Sequence, residues 1–375
     1  MTPTRRDLLL ASGATALTAS ALASTGEAAS AAPREAQPTE FPLRLPDMPL
    51  HDPYIVADAP SGLYHLYTSN VASVSGVHGV GTMVYSSRDL KRWAKPEVVF
   101  LAAADLWGQE GAWAPEVHRW RGRWYLFTTL YNSKKPLTGP PAGQYGTPVQ
   151  TPQVERGTVI AAADSLLGPF TVLDRDAPIA PATFMTLDGT LFTDDDGRPW
   201  MVYAHEWVQK IDGTIEAIPL KRDLSAAAGD PVYLFKGSDA TWISAEMPPP
   251  SANQIVPYVT DGPQLYRLPG GGLAMLWSTY EKDTDEDDGT VSGTYVETQA
   301  VSHSGRLTGP WIQRKPLLRR DSGHGMIFST LGRRSRKMMV VHRPFDDARG
   351  KLYEVDLRRD GVHLGRQRKD LDGGG

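Results

Sequence analysis

Three aspartates in this sequence each stand at the start of a short apolar strand. Asp52 precedes Pro-Tyr-Ile-Val, Asp188 precedes Gly-Thr-Leu-Phe, and Asp261 precedes Gly-Pro-Gln-Leu. A single aspartate before proline or glycine is usually a turn residue, because its side chain bonds the nearby backbone. Three aspartates at equivalent positions of a sequence repeat predict a shared site. In such a site, close like charges raise the pKa of at least one carboxyl group. Such a set can supply a general acid and a general base.

Two further residues stand at the equivalent position, Ala114 before Pro-Glu-Val-His and His324 before Gly-Met-Ile-Phe. We call these five residues the heads of the repeats. After each of the five heads, a Gly-containing turn leads to a second alternating or apolar strand, and another strand pair usually follows. Four short strands repeated five times predict an all-β, five-bladed β-propeller, whose first strands line a central channel. The alternative is a β-sandwich, which would not place one position at the head of every repeat.

In a propeller the five heads lie at one level of the channel, so three carboxyl groups and an imidazole converge there. A protonated carboxyl facing an ionised one is what glycosidic bond cleavage requires, because the acid protonates the leaving oxygen while the base activates water. The channel separates the carboxyls and leaves room for that water, which predicts inversion of the anomeric centre. The candidate substrate-binding residues are Trp113, Glu206, Trp207 and Trp242.

Four motifs resemble glycoside hydrolase family 43, a family of arabinanases, α-L-arabinofuranosidases, β-xylosidases and galactan-active relatives. They are Asp52-Pro-Tyr-Ile, Trp113-Ala-Pro-Glu-Val, Asp188-Gly-Thr-Leu-Phe-Thr-Asp-Asp-Asp-Gly and Gly323-His-Gly-Met-Ile-Phe. The resemblance implies that Asp52 is the general base and that Asp188 orients the acid and tunes its pKa.

The family's general acid is a glutamate in a Glu-Gly-Pro motif, and the matching motif here begins with Asp261. The shorter side chain displaces the proton donor by one methylene, and such a displacement matters for catalysis. Glu246 is the alternative donor. His324 matches a family histidine near a bound Ca²⁺ or Na⁺, so the resemblance implies Ca²⁺ as a possible cofactor. The other interpretation of His324 is a neutral core histidine. No organic cofactor is expected.

The N-terminus carries export signals. Thr4-Arg5-Arg6-Asp7-Leu8 is a twin-arginine pattern, and Ala29-Ser30-Ala31 offers a cleavage site. The predicted divisions are a signal peptide at 1–31, a flexible leader at 32–44 and the catalytic propeller at 45–370. Later segments do not resemble membrane spans. The chain has no cysteine and a formal net charge of −4, which exclude disulfides and give no support for nucleic-acid binding.

The sequence therefore predicts a secreted, monomeric, inverting glycosidase. Its expected substrates are α-L-arabinofuranosyl linkages, or related xylosyl or galactofuranosyl linkages, in cell-wall polysaccharides or oligosaccharides. The alternative is a carbohydrate-binding propeller without catalysis, which the aspartate at position 261 keeps open.

Overall fold

A computed structural model describes residues 37–137, 152–210, 212–243, 258–284 and 291–374. Its strands form five four-stranded sheets, and each sheet consists of four consecutive antiparallel strands. The prediction of an all-β, five-bladed β-propeller is confirmed. The predicted signal peptide and Glu246 lie outside the described residues.

In all five blades the strands follow chain order from the channel outward. Blade one contains β1 (Tyr54–Asp58), β2 (Leu63–Ser69), β3 (Gly81–Ser87) and β4 (Glu97–Leu101). Blade two contains β5 (Glu110–Trp120), β6 (Arg123–Pro136), β7 (Val154–Ala163) and β8 (Thr171–Val172). Blade three contains β9 (Thr186–Thr193), β10 (Pro199–His205), β11 (Thr214–Pro219) and β12 (Val232–Lys236). Blade four contains β13 (Asp261–Arg267), β14 (Leu273–Thr284), β15 (Val291–Ser302) and β16 (Ile312–Gln313). Blade five contains β17 (Gly323–Ser329), β18 (Lys337–Arg343), β19 (Arg349–Arg358) and β20 (Gly361–Gln367).

The helices of the described residues are short and lie between strands or at the two ends of the propeller. The α-helices are α1 (Ala72–Ser75), α2 (Trp207–Lys210) and α3 (Lys369–Asp372), and the 3₁₀-helices are Leu45–Asp47 and Gly237–Asp239. None of the helices among the described residues has the length and apolar character needed to cross a membrane.

Apolar clusters fill the gaps between neighbouring blades. Tyr67 and Leu126 belong to the cluster between blades one and two, and equivalent clusters join the other neighbours around the ring. Between blades five and one, Leu66 and Val340 are fully buried together with Leu45 from the N-terminal segment. Burying one such side chain stabilises the fold by about 2 kcal/mol, so apolar packing closes the ring.

The segment before the first blade packs on that blade. Leu43 and Trp93 exchange two backbone hydrogen bonds, of 3.0 and 2.9 Å, and the Arg88 guanidinium lies 5.1 Å from the centre of the Phe41 ring. The end of the predicted leader is therefore attached to the propeller. At the other terminus, Asp372 accepts a hydrogen bond from the Leu352 backbone, which fixes α3 against blade five.

Candidate active site

The innermost strand of each blade has a residue in the left-handed backbone region just before its start or in its first half. The five φ values lie between 44° and 57°, at Asp52, Ala114, Asp188, Gly262 and His324. In blades two to five the strand pairing shifts at the same place, which marks a β-bulge. A bulge with a left-handed residue bends the strand and redirects its side chain. A residue other than glycine costs about 1 kcal/mol or more in this conformation, so four of the five heads are strained.

The fourth head is Gly262 and not Asp261, which corrects the sequence alignment of the repeat. Gly262 has the left-handed φ, of 52°, and lies 74 residues after Asp188 and 62 before His324. Asp261 is one residue earlier. Its carboxyl nevertheless contacts the ring, because the side chains of Asp188 and Asp261 are hydrogen-bonded. A left-handed position next to the His324 ring favours glycine, since an added Cβ would lie 3.1 Å from that ring.

Hydrogen bonds from the preceding blade hold these strained heads. The Asp188 N–H donates to Thr129 Oγ1 at 2.9 Å, and the Gly189 N–H donates to Thr158 Oγ1 at 3.0 Å. Both threonines are buried and belong to blade two. The position of the blade-three carboxyl is thus set by its neighbour as well as by its own strand.

Asp52 forms the first half of the site with two histidines. Its Oδ1 lies 3.1 Å from Nδ1 of His324 and 3.3 Å from Nδ1 of His342. Burial works to raise the pKa of Asp52, but the two histidines outweigh it and hold the pKa below its ordinary range. The Asp52 side chain keeps 18% of its surface exposed. An ionised carboxylate is therefore open to a water molecule in the channel mouth.

Asp188 and Asp261 form the second half. Burial raises the pKa of Asp188 well above its ordinary value, and the charge of Asp261 and the hydrogen bond to it raise the pKa further. Asp188 also accepts the Gly262 N–H at 3.0 Å, while Asp261 accepts the hydroxyl of Tyr295. Two carboxyl groups can share a hydrogen bond only when one carries a proton. This pair therefore holds a proton under conditions in which Asp52 has none.

The two halves face each other across the channel. Asp52 lies on blade one, whereas Asp188 and Asp261 lie on the adjoining blades three and four. His324 stands between them, with Nδ1 3.1 Å from Asp52 and 4.0 Å from Asp188. Burial lowers the pKa of His324, but the charges of Asp52 and Asp261 raise it above the ordinary value. The resulting arrangement is a base, a carboxyl pair with a raised pKa at Asp188 and a histidine between them, around one space.

A polar and aromatic wall adjoins the acid pair. The Arg156 guanidinium lies 5.0 Å from the ring centre of Trp113 and 5.1 Å from that of Tyr131. Its Nη1 donates to both carboxylate oxygens of Glu206 at 2.6 Å. Burial raises the pKa of Glu206 and Arg156 lowers it, while a further rise comes from the charge of Asp261, which places this wall beside the acid. Trp113 is partly exposed and can present a face to a sugar.

The other two predicted substrate-binding tryptophans are engaged in packing. Trp207 is only 8% exposed and lies in an apolar cluster with Tyr280 and Tyr295. Trp242 packs against the cluster between blades three and four and donates its indole N–H to the Arg314 carbonyl at 2.9 Å. Trp207 is thus a core residue, whereas Trp242 packs on a core cluster and stays partly exposed. Trp113 and Glu206 remain beside the acid pair.

The predicted metal position offers a poor donor set for Ca²⁺. Asp188, Asp261 and His324 place one potential ligand atom each within 4.8 Å of one another. Calcium takes six to eight oxygen ligands, whereas this trio offers two carboxyl groups and a nitrogen. Nδ1 of His324 also faces Asp52. These residues therefore do not fit Ca²⁺.

Three residues of the site escaped sequence analysis. His342 lies inside β18 and Tyr295 lies inside β15, so each resembles an ordinary strand residue in the sequence. Arg156 had a usable signal, because a Glu-Arg pair interrupts β7, in which all residues are buried. A buried charge needs a partner, and Glu206, 50 residues away, provides it.

The fold and the paired carboxyls together define a glycosidase, an enzyme that uses an acid and a base on opposite sides of a glycosidic bond. The profile of glycosyl hydrolases family 43 matches residues 47–367, and the chain belongs to that family.

Solved structures show the same architecture. The endo-arabinase from Bacteroides thetaiotaomicron is 35% identical, with a TM-score of 0.69 over 86% of this chain and 99% of that one. An endo-1,4-beta-xylanase from the same organism is 21% identical, with a TM-score of 0.61 over 85% and 95% of the two chains. An exo-1,5-alpha-L-arabinanase from a bovine ruminal metagenomic library is 16% identical, with a TM-score of 0.56 over 87% and 100%. A search of curated protein sequences found no match.

Proposed function

We propose that this protein is a secreted, monomeric glycosidase that cleaves α-L-arabinofuranosyl linkages of cell-wall polysaccharides or oligosaccharides with inversion. The observation that carries the proposal is the arrangement of three carboxyl groups around the channel, with Asp52 held by His324 and His342 and with Asp188 beside Asp261. Their surroundings lower the pKa of Asp52 and raise that of Asp188. An inverting glycosidase needs these two protonation states at the same pH. The choice of arabinose rests on the 35% identity to an endo-arabinase. Export by the twin-arginine route rests on the N-terminal pattern.

The proposed reaction is a single displacement. Asp52 removes a proton from a water molecule while the water oxygen attacks the anomeric carbon. The bond from that carbon to the leaving oxygen breaks, and the leaving oxygen takes the proton held by Asp188 and Asp261. Asp261 is more exposed than Asp188, whose side chain is only 4% exposed, so Asp261 faces the substrate and Asp188 supports it from behind. His324 Nδ1 lies 3.1 Å from Asp52 Oδ1 and orients this carboxylate.

The test compares aryl glycosides and then reads the stereochemistry. The mature protein is expected to release 4-nitrophenol from the α-L-arabinofuranoside faster than from the β-D-xyloside or β-D-galactofuranoside. Proton NMR of the first product should show β-arabinose, because water attacks the face opposite to the leaving group. Initial formation of α-arabinose would refute inversion. Faster cleavage of the xyloside would move the substrate assignment to xylosyl linkages.

The role of Asp52 is tested by Asp52→Asn. This variant should lose at least about 1,000-fold in kcat with KM nearly unchanged, because the amide cannot accept the proton of water. Asp230→Asn, at an exposed aspartate, is the matched control and should retain full activity.

The competing function is sugar binding without cleavage. Asp261 favours it, because the family's acid is longer by one methylene. If calorimetry shows that the protein binds arabino-oligosaccharides, that no glycoside is cleaved and that Asp52→Asn binds equally well, the chain is a carbohydrate-binding propeller.

A further inference from the structure

We infer that Tyr295 is a positioning residue that fixes the short carboxyl of Asp261 beside Asp188. The inference rests on the proposed function, because it concerns the acid half of that reaction.

The Tyr295 hydroxyl donates directly to Oδ2 of Asp261. Tyr295 lies on β15, the third strand of blade four, and has no exposed surface. The carboxyl of Asp261 therefore lies between the phenol on the blade-four side and Asp188, whose carboxylate oxygen is within 4.8 Å, on the blade-three side. An aspartate has only two side-chain torsions, so the hydrogen bond from the phenol leaves its carboxyl little freedom.

The phenol itself is held rigidly by neighbouring rings. Its ring stacks on His342 with 5.5 Å between centres and 8° between planes, and it meets Phe345 edge-on at 5.1 Å. Gly323 leaves the room for it, since a Cβ at position 323 would lie 2.1 Å from the Tyr295 ring. The hydroxyl can therefore reach Asp261 in only one direction. The stack also joins the acid half to the base half, because His342 contacts Asp52.

The surroundings of Tyr295 keep its hydroxyl protonated, so that it acts as the hydrogen-bond donor. Burial raises the pKa of Tyr295 well above its ordinary value, and the charge of Asp261 raises the pKa further. A phenol that keeps its proton stabilises the ionised form of the carboxylate it bonds. In the proposed reaction the Tyr295 hydroxyl keeps the Asp261 carboxyl aligned while the leaving oxygen takes the proton of the carboxyl pair. This support offsets the methylene that Asp261 lacks relative to glutamate.

The decisive variant is Tyr295→Phe, which keeps the ring and removes the hydroxyl. Its kcat should fall about 10- to 100-fold for aryl arabinofuranosides with poor leaving groups, because an acid misplaced by a fraction of an ångström transfers its proton slowly. The 2,4-dinitrophenyl glycoside needs little protonation and should react within about threefold of wild type. KM should change little, since the phenol bonds the carboxyl of Asp261 and does not itself contact the substrate. Tyr203→Phe is the matched control, because Tyr203 is also buried and donates to a carboxylate, Glu216, outside the ring.

A second measurement is the pH profile of kcat/KM, whose alkaline limb reports loss of the proton from the free enzyme's acid. Without the phenol the ionised pair is less stable, so the alkaline limb should move to higher pH. Site-specific 3-fluorotyrosine at position 295 keeps the shape and is a stronger donor, and it should move the limb to lower pH. This substitution remains informative if Tyr295→Phe does not fold.

The outcomes separate the inference from the proposed function. If the wild type cleaves none of the glycosides, the proposed function fails. If the wild type is active but Tyr295→Phe slows all leaving groups by one factor, with the alkaline limb unmoved in both variants, Tyr295 is structural and the inference is overturned. Wild-type activity in Tyr295→Phe would overturn it as well.

Discussion

Replacing Glu297 with glutamine should make the protein more stable at pH 8 but not at pH 4.5. Glu297 has no exposed surface, and its Oε2 accepts the Ser278 hydroxyl at 2.7 Å and the Gly325 N–H at 2.8 Å. Ser278 in turn accepts the His324 N–H at 2.8 Å, so this carboxyl supports the fifth head. Burial raises the pKa of Glu297 to about 8 although both hydrogen bonds oppose the rise.

The sign follows from the order of the two pKa values. The unfolded chain ionises Glu297 near pH 4.5, whereas the folded protein keeps it neutral up to about pH 8. The free energy of unfolding is therefore unaffected below pH 4.5 and decreases as the pH rises through this window. The full difference corresponds to at most about 5 kcal/mol at pH 8. Glutamine stays neutral and accepts the same two hydrogen bonds, so Glu297→Gln avoids this loss.

Urea unfolding of the wild type and Glu297→Gln at pH 4.5 and pH 8 measures the effect. We expect the two proteins to agree within about 1 kcal/mol at pH 4.5 and the variant to be more stable by at least about 2 kcal/mol at pH 8. Glu354→Gln is a control of opposite sign, because hydrogen bonding to Arg366 helps to lower the pKa of Glu354. If the difference between Glu297→Gln and wild type is the same at both pH values, Glu297 is ionised in the folded protein and the reasoning is wrong.

Three further substitutions test the site. Asp188→Asn should reduce kcat/KM about 100-fold and shift the alkaline limb of its pH profile to lower pH. The reason is that the amide cannot hold the proton of the carboxyl pair. An alkaline limb at the same pH as in the wild type would exclude Asp188 from that pair. Trp113→Ala should raise KM for oligosaccharides about tenfold with kcat within about twofold, as measured by initial rates, whereas an unchanged KM would remove Trp113 from the substrate wall. Glu206→Gln should lower the free energy of unfolding by about 3 kcal/mol, measured in urea, since Arg156 would keep a buried charge without its carboxylate. Equal stability of this variant and wild type would show that the pair contributes nothing.

Much of the architecture could be predicted because each blade is formed by strands that are consecutive in the sequence. Four consecutive strands with short turns leave an alternating pattern in the sequence, and the pattern repeats at each blade. The heads were found by the same periodicity, and Asp52, Asp188 and His324 occupy equivalent positions in the structure. Asp261 was aligned one residue out, because the sequence shows residue types and not φ. Its neighbour, Gly262, has the conformation that defines the head.

The sequence by itself determined the fold class, the family resemblance and the chemical types that meet in the channel. Tertiary structure alone decided their partners, because these partners lie on other strands, 34 to 290 residues away in the sequence. His342 reaches Asp52 across 290 residues, Tyr295 reaches Asp261 across 34, and Arg156 reaches Glu206 across 50. The same contacts decide the protonation states, since a pKa depends on burial and on charges a few ångströms away. A periodic sequence predicts which residues face the channel, and only their distances decide which carboxyl keeps the proton.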